Sequence, residues 1–316
     1  MEHTYNLAHR AARFRASILA LLALSFGACN SDELTNSIAE DPTNPIEAAE
    51  PVVVDEAPSF ATSFAGGIAM GHFGQPLSAF GSINNGAKMT VSPGSLMEYL
   101  AGVRARGGKV VLMFAGPHRY YLDGSGHFSM TKWKARIDRF RNINFSSYIT
   151  NGTIIGHLLV DEPNDASNWG GRAIPASTVD EMARYSKARW SSMPTIARVE
   201  PYYFRSQDPR YLDAAWAQYV TRKGTASDYI KRNVADAQRA DLALVVGLNI
   251  SKGGPNRSRM TPTMVRNFGS TLLSSSYPCA FLSWEYGSYL TTNSMKDALR
   301  TLRSKAQSRS SKSCRG

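Results

Sequence analysis

The sequence predicts an α/β chain: a single (β/α)8 TIM-type barrel over residues 61–316, preceded by a signal peptide at 1–28 and a disordered acidic tether at 29–60. Three observations predict the barrel. β-rich apolar runs alternate with amphipathic stretches about eight times along the chain. Several of those runs are apolar on both faces, as parallel strands buried between layers must be. The remaining length of about 256 residues suits one closed barrel better than two domains. The rival is an open doubly wound sheet, which would carry a G-x-G-x-x-G turn after its first strand. The stretch "GGIAMGHFG" has glycines at other spacings.

The elements follow in order. Residues 63–71 read as the first strand and 77–84 as a short second one, followed by a helix in 92–108 capped near Ser92 and closed by Gly107. A strand at 109–116 and a helix at 129–150 come next, then a strand at 153–162 and a helix at 177–192 capped by Ser177 or Thr178. Strands at 195–201 and 214–220 precede a helix at 226–240. A strand at 242–250, a helix at 261–275, a strand at 279–287 and a helix at 294–306 complete the domain.

The residues before the domain have a different character. Arg10, Arg13 and Arg15 form a basic start, and Ala16 to Gly27 is an apolar run too short to span a bilayer. It closes on "LSFGAC", which resembles a bacterial lipobox with Cys29 as the lipidated residue and membrane anchor; the alternative is an ordinary cleaved signal peptide. Residues 30–60 hold eight acids, no Lys or Arg, and several prolines, a composition that solvates rather than packs. Residues 61–316 carry 33 basic and 16 acidic residues, net +17, spread over the helices with a concentration in the tail. For an exported chain this excess reads as a solvated face plus a basic tail, with anionic glycans or lipid headgroups as possible partners; no nucleic acid is expected. A monomer is expected. In an oxidising compartment Cys279 and Cys314 pair to pin the tail to the last strand.

Barrel sites are built at the C-terminal ends of the strands. Those ends supply His72 from the first strand, His118 from the third, and Asp161 and Glu162 from the fourth, followed by Trp169 on a glycine-rich loop. The fifth gives Glu200 and Tyr202, the sixth Trp216, Gln218 and Tyr219, the seventh Asn249, and the eighth Trp284 and Glu285. Acids among polar groups and aromatic rings suit an oligo- or polysaccharide, whose hydroxyls need partners and whose ring faces stack. No His-x-His or His-Glu-x-x-His spacing points to a metal, and no cofactor motif occurs.

The "VDEP" at the fourth strand end resembles the "NEP" of the largest clan of barrel glycoside hydrolases. That resemblance implies Glu162 as general acid/base, with Asp161 in the place of Asn. Those enzymes put a nucleophilic Glu at the end of strand seven, where this chain has only Asn249. A second resemblance is to chitinase- and hexosaminidase-type barrels, which hold Asp and Glu together at strand four with a Tyr near strand six and a Trp at strand eight. Asp161, Glu162, Tyr219 and Trp284 occupy comparable places, although the extended "D-x-x-D-x-D-x-E" is absent.

Local chemistry adds its own expectations. Pro163 disfavours a helical Glu162, so strand geometry is expected to persist to that residue, placing it on the face of Leu158 and Val160 with Asp161 opposite. Two adjacent carboxylates resist joint ionisation, which keeps a proton available. The plainer alternatives are that Asp161 holds Arg172 or caps its loop, and that Glu200 pairs with Arg198 or Arg205. The expectation is a glycoside hydrolase with Glu162, Asp161, and Glu285 or Glu200 as its carboxylates. A non-catalytic carbohydrate-binding or scaffold barrel is the alternative, and an adhesin acting through the basic tail is a third.

Overall fold

The computed structural model describes residues 66–315. The signal peptide, Cys29 and the acidic tether lie outside the described residues. Eight parallel strands close into a barrel in chain order. They are β1 (Ala69–Phe73), β2 (Gly86–Thr90), β3 (Lys109–Met113), β4 (Ile154–Asp161), β5 (Thr195–Arg198), β6 (Ala214–Tyr219), β7 (Ala243–Leu248) and β8 (Ala280–Ser283). Around them run α1 (Leu96–Ala105), α2 (Met130–Asp138), α3 (Ser146–Thr150), α4 (Ala176–Lys187), α5 (Ala226–Arg239), α6 (Pro262–Leu273) and α7 (Asn293–Gln307). None of the described helices is long and apolar enough to cross a membrane.

Inward positions of the strands fill the barrel: Phe73, Val111, Leu158, Ile196, Trp216 and Leu282 form one buried cluster. The alternate positions of the same strands face the helices, as Leu112 does in the buried cluster that holds Trp133 and Ile137 of α2. Period-2 strands facing period-3.6 helices therefore account for most of the core. Side-chain caps start several helices: Ser129 accepts from the backbone of Lys132, Thr225 from Asp228 and Thr261 from Met264.

Three expectations about elements are corrected. The second strand is not 77–84; Leu77–Ala79 form a single 3₁₀ turn and the chain pairs later, over Gly86–Thr90. That strand hides from an apolar pattern because it carries Lys88 and Thr90 toward the barrel mouth. The expected helix at 129–150 is two helices, since Asn144 accepts from the backbone and hydroxyl of Ser146 and starts α3 afresh. Helix α4 begins at Ala176 after Pro175, without a side-chain cap from Ser177 or Thr178.

The Cys279–Cys314 disulfide is formed, with 5.2 Å between Cα atoms. Both cysteines are buried with the barrel interior at the N-terminal end of the strands. Arg315 lies 3.8 Å from Asp213, which precedes β6. Cys314 and Arg315 are thus held against the barrel floor, while residues 310–313 stay exposed.

Candidate functional site

The C-terminal rim is organised around the end of β4. Pairing with β5 shifts register between Leu158 and Val160, and such a bulge breaks the alternation of faces. Leu158 stays inside the barrel while both Leu159 and Val160 pack outward. Asp161 then turns to the mouth, the opposite of the arrangement that strict alternation predicts. Strand geometry also stops short of Glu162, which adopts φ +47° in the left-handed region.

A non-glycine residue there costs about 1–2 kcal/mol and needs its surroundings to hold it. Those surroundings are specific. The Glu162 amide donates to the carbonyl of Arg198 at 2.9 Å. Its carbonyl accepts from the Trp169 indole N–H at 2.9 Å and from the Asp165 amide at 3.1 Å. The Glu162 side chain is left 48% exposed, at the front of the rim.

Arg198, at the end of β5, joins the two acids. Its Nε donates to Asp161 Oδ1, one terminal nitrogen lies 3.3 Å from Glu162 Oε1, and the other donates to Gln218 Oε1 at 3.0 Å. The guanidinium carbon sits 5.4 Å from the Trp284 ring and 5.6 Å from Phe73. Burial opposes its charge, but Asp161 and then Glu162 outweigh that penalty and raise its pKa. The adjacent carboxylates are therefore bridged by a buried cation rather than left to repel, which corrects the expectation that mutual repulsion governs the pair. Arg198 is also the answer to what Asp161 holds; Arg172 is not its partner.

Lys88, from β2, reaches the same place. Burial lowers its pKa to about 8, with Asp161 pulling it up and Arg198 pushing it down. Its Nζ donates to Thr90 Oγ1 at 3.2 Å.

An open cavity of about 830 Å³ lies beside this cluster, over the ends of β4, β5, β6 and β7 and against α5. Glu162 and Glu200 both line it, with Arg198 and Trp216 below and Tyr202 and Asn249 among its walls. Glu200 pairs with Lys223 from the loop after β6, not with Arg198 or Arg205. Tyr202 is 52% exposed, with the Arg205 guanidinium stacked over one face of its ring at 3.8 Å.

Other expected site residues sit elsewhere. Trp169 is 0% exposed, packed among Tyr121, His118 and Phe128, so it props Glu162 and does not present a face to a sugar. Tyr219 turns outward to Tyr229 and Phe268 and donates to the Gly224 carbonyl. His72 is buried against Tyr286, and burial lowers its pKa to about 4. His118 is exposed on its turn and outside the cavity lining. Glu285 is exposed and outside that lining too, its carbonyl accepting from the Tyr289 hydroxyl. Trp284 stays in the mouth, against Phe73 at 5.0 Å.

Two residues of the mouth not expected from the sequence pattern are Arg198 and Lys88. Their signal was a lone cation in "TIARVEP" and another in "GAKMT", each inside or at the tip of a buried strand. Among the described residues, no group of three or more His, Cys, Asp and Glu is placed to hold a metal ion.

No family model and no curated protein matches the sequence. Solved structures do match in shape. A glucosidase from Croceicoccus marinus superposes with a TM-score of 0.55 at 10% identity, over 76% of this chain and 68% of that one. Gas2p from Saccharomyces cerevisiae, in complex with laminaritetraose and laminaripentaose, gives 0.51 at 12% identity over 81% and 68%. An endocellulase from Pyrococcus horikoshii, in complex with cellotetraose, gives 0.50 at 8% identity over 74% and 91%. At such identities the likeness is one of fold: the chain is built on the (β/α)8 barrel that these glycoside hydrolases use.

Proposed function

We propose that the chain is a glycoside-hydrolase-like protein that cleaves a glycosidic bond, with Glu162 as general acid/base and Glu200 as the opposing carboxylate. One observation carries this reading: of the four candidate acids, Glu162 and Glu200 alone line the cavity. Glu162 would protonate the departing oxygen and Glu200 would attack the anomeric carbon or activate water. A separation of about 5 Å between the acids when substrate is bound would favour retention, and about 6.5–9.5 Å inversion. Asp161 positions Arg198, and Arg198 positions Glu162; neither needs to touch the sugar. Tyr202 would offer a sugar the ring face opposite Arg205. The barrel neighbours solved with cellotetraose and laminaritetraose make a β-glucan-type oligosaccharide a natural first substrate to assay.

The test is hydrolysis of aryl-glycosides and polysaccharides by the full chain, by Glu162→Gln and by Glu200→Gln. Losing a general acid typically costs 10²- to 10⁴-fold, about the drop expected for Glu162→Gln. Activity that survives both substitutions would remove these acids from the reaction.

A second reading, a carbohydrate-binding barrel without catalysis, is favoured by the ion pairs that occupy both acids and by Asn249 after strand seven. Retention on a glycan array with no hydrolysis by the parent chain would select it.

We further propose that Cys29 carries lipid and holds the domain at a membrane through the acidic tether. Replacing Cys29 by Ser should release the protein into the soluble fraction and abolish labelling with a fatty acid. Unchanged membrane association would reject the anchor.

A further inference from the structure

The cavity has two dissimilar halves. Its acids Glu162, Asp165 and Glu200 come from the ends of β4 and β5, whereas the sector built by β6, α5 and β7 presents mainly nitrogen, its one acid, Asp236 of α5, being paired with Arg239. Trp216 and Gln218, two apart on β6, are 0% and 7% exposed and both line the cavity. The Trp216 Nε1 and Gln218 Nε2 atoms are buried with no acceptor among the described residues. Buried donors are normally satisfied, so such a pair marks where a partner is missing.

The amide orientation is not arbitrary, because an arginine can only donate: Gln218 Oε1 accepts from Arg198 at 3.0 Å, which leaves its NH2 as the free end. Asn249, beside it at the end of β7, is fixed in the same way. Its Oδ1 accepts from the Lys252 amide at 2.9 Å and the Ser251 hydroxyl at 3.2 Å, again leaving NH2. The backbone carbonyl of Gln218 is engaged by Lys223 Nζ at 3.3 Å.

Charge runs the same way. Glu162 and Glu200 are matched by Arg198 and Lys223, and Asp236 by Arg239, while Asp165 is turned to its own loop, accepting from the Ser167 amide and hydroxyl. Arg222 and Arg232 also line the cavity, and neither has a carboxylate within ion-pair distance among the described residues. Arg232 is held at the wall by donating to the Lys223 carbonyl at 2.7 Å.

From this we infer that the β6–α5–β7 wall is a subsite for the carboxylate of a uronic acid residue, so that the substrate is an acidic oligosaccharide. A hydroxyl both donates and accepts, and the one carboxylate on this wall, Asp236, is already taken up by Arg239. A carboxylate only accepts, and it meets indole and amide N–H groups with two uncommitted arginines alongside. The net +17 of residues 61–316 favours accumulation of such a polyanion near the barrel.

The inference rests on the sugar reading of the cavity, and the experiment separates the two. Binding of the full chain would be measured to oligomers of galacturonic and glucuronic acid, each beside its carboxyl-reduced counterpart. The acidic member should bind about ten-fold more tightly or better, the scale of a charged hydrogen bond. Gln218→Glu keeps the acceptor for Arg198 but turns the free end from donor to anion, and should bring the two sugars to parity. Asn249→Asp, at a half-exposed position, should move the ratio the same way. Equal binding of acidic and reduced sugars by the parent would overturn the subsite and leave the sugar reading standing. A preference that persists in both variants would overturn the subsite as well. Binding of neither sugar would overturn both proposals.

Discussion

Glu162 shows how much surrounding structure a single functional side chain requires. Its left-handed backbone is disfavoured, and the loop pays that cost through hydrogen bonds to its amide and carbonyl. Trp169 is the part of that clamp most open to test. Trp169→Phe keeps most of the buried ring but deletes the N–H that reaches the Glu162 carbonyl. Thermal unfolding should show a loss of about 1–2 kcal/mol, the scale of one buried bond left unmade. If Glu162 is the acid/base, kcat should fall by more than KM rises, because the carboxyl is no longer held in place. A kcat unchanged in this variant would mean that the clamp serves folding alone. Neither partner is apparent from spacing: Trp169 is seven residues away and folds back under the loop, and Arg198 arrives from the next strand.

At the scale of elements, the mouth is assembled from strand tips that carry charge into a buried layer. β2 is the plainest case, since Lys88 is desolvated between Phe73, Arg198 and Asp161. Its pKa near 8 lies below the unfolded value, so the unfolded chain binds the proton more tightly. Protonation therefore favours unfolding, and stability should rise with pH from about 8 to about 10.5 as this penalty disappears. Lys88→Met should stabilise the fold by about 1–2 kcal/mol below pH 8, with the gain gone above about pH 10.5. Chemical denaturation of both proteins at pH 7 and pH 10.5 would measure it; a destabilised variant at pH 7 would show that Lys88 supports Asp161 more than its burial costs. The same charge explains why β2 is the strand misplaced from sequence. Its two most informative positions face the site, so it lacks the apolar run that marks β3, β6 and β7. The bulge in β4 is equally silent, because period-2 reasoning assumes an unbroken register.

For the whole molecule, the segment after α7 is tied back to the barrel floor through Cys314. The Cys279–Cys314 bond links residues 35 apart and buries Cys314 among the interior side chains. In the loop-entropy description a closure of that length contributes about 3–4 kcal/mol. Cys314→Ser should lower unfolding stability in urea by about that amount, and should open Arg309 and Lys312 to trypsin while the rest of the barrel resists. An unshifted midpoint would show that packing alone holds the tail. The floor and the mouth lie at opposite ends of the strands, so the variant should leave substrate binding at the rim intact.

Much of this protein can be read from residue order. The eight-fold alternation of apolar runs and amphipathic helices and the delivery of acids to strand tips are local in the chain, and local patterns survive folding; the pairing of two cysteines follows from their number in an oxidising compartment. The placement of Asp161 against Glu162, the burial of Trp169 and Tyr219, the bridging by Arg198 and the meeting of Glu162 with Glu200 are contacts across strands. They depend on a one-residue register shift and on which of two faces each strand tip turns to the axis. A pattern of period two cannot register that choice, because a single bulge reverses it for every residue beyond.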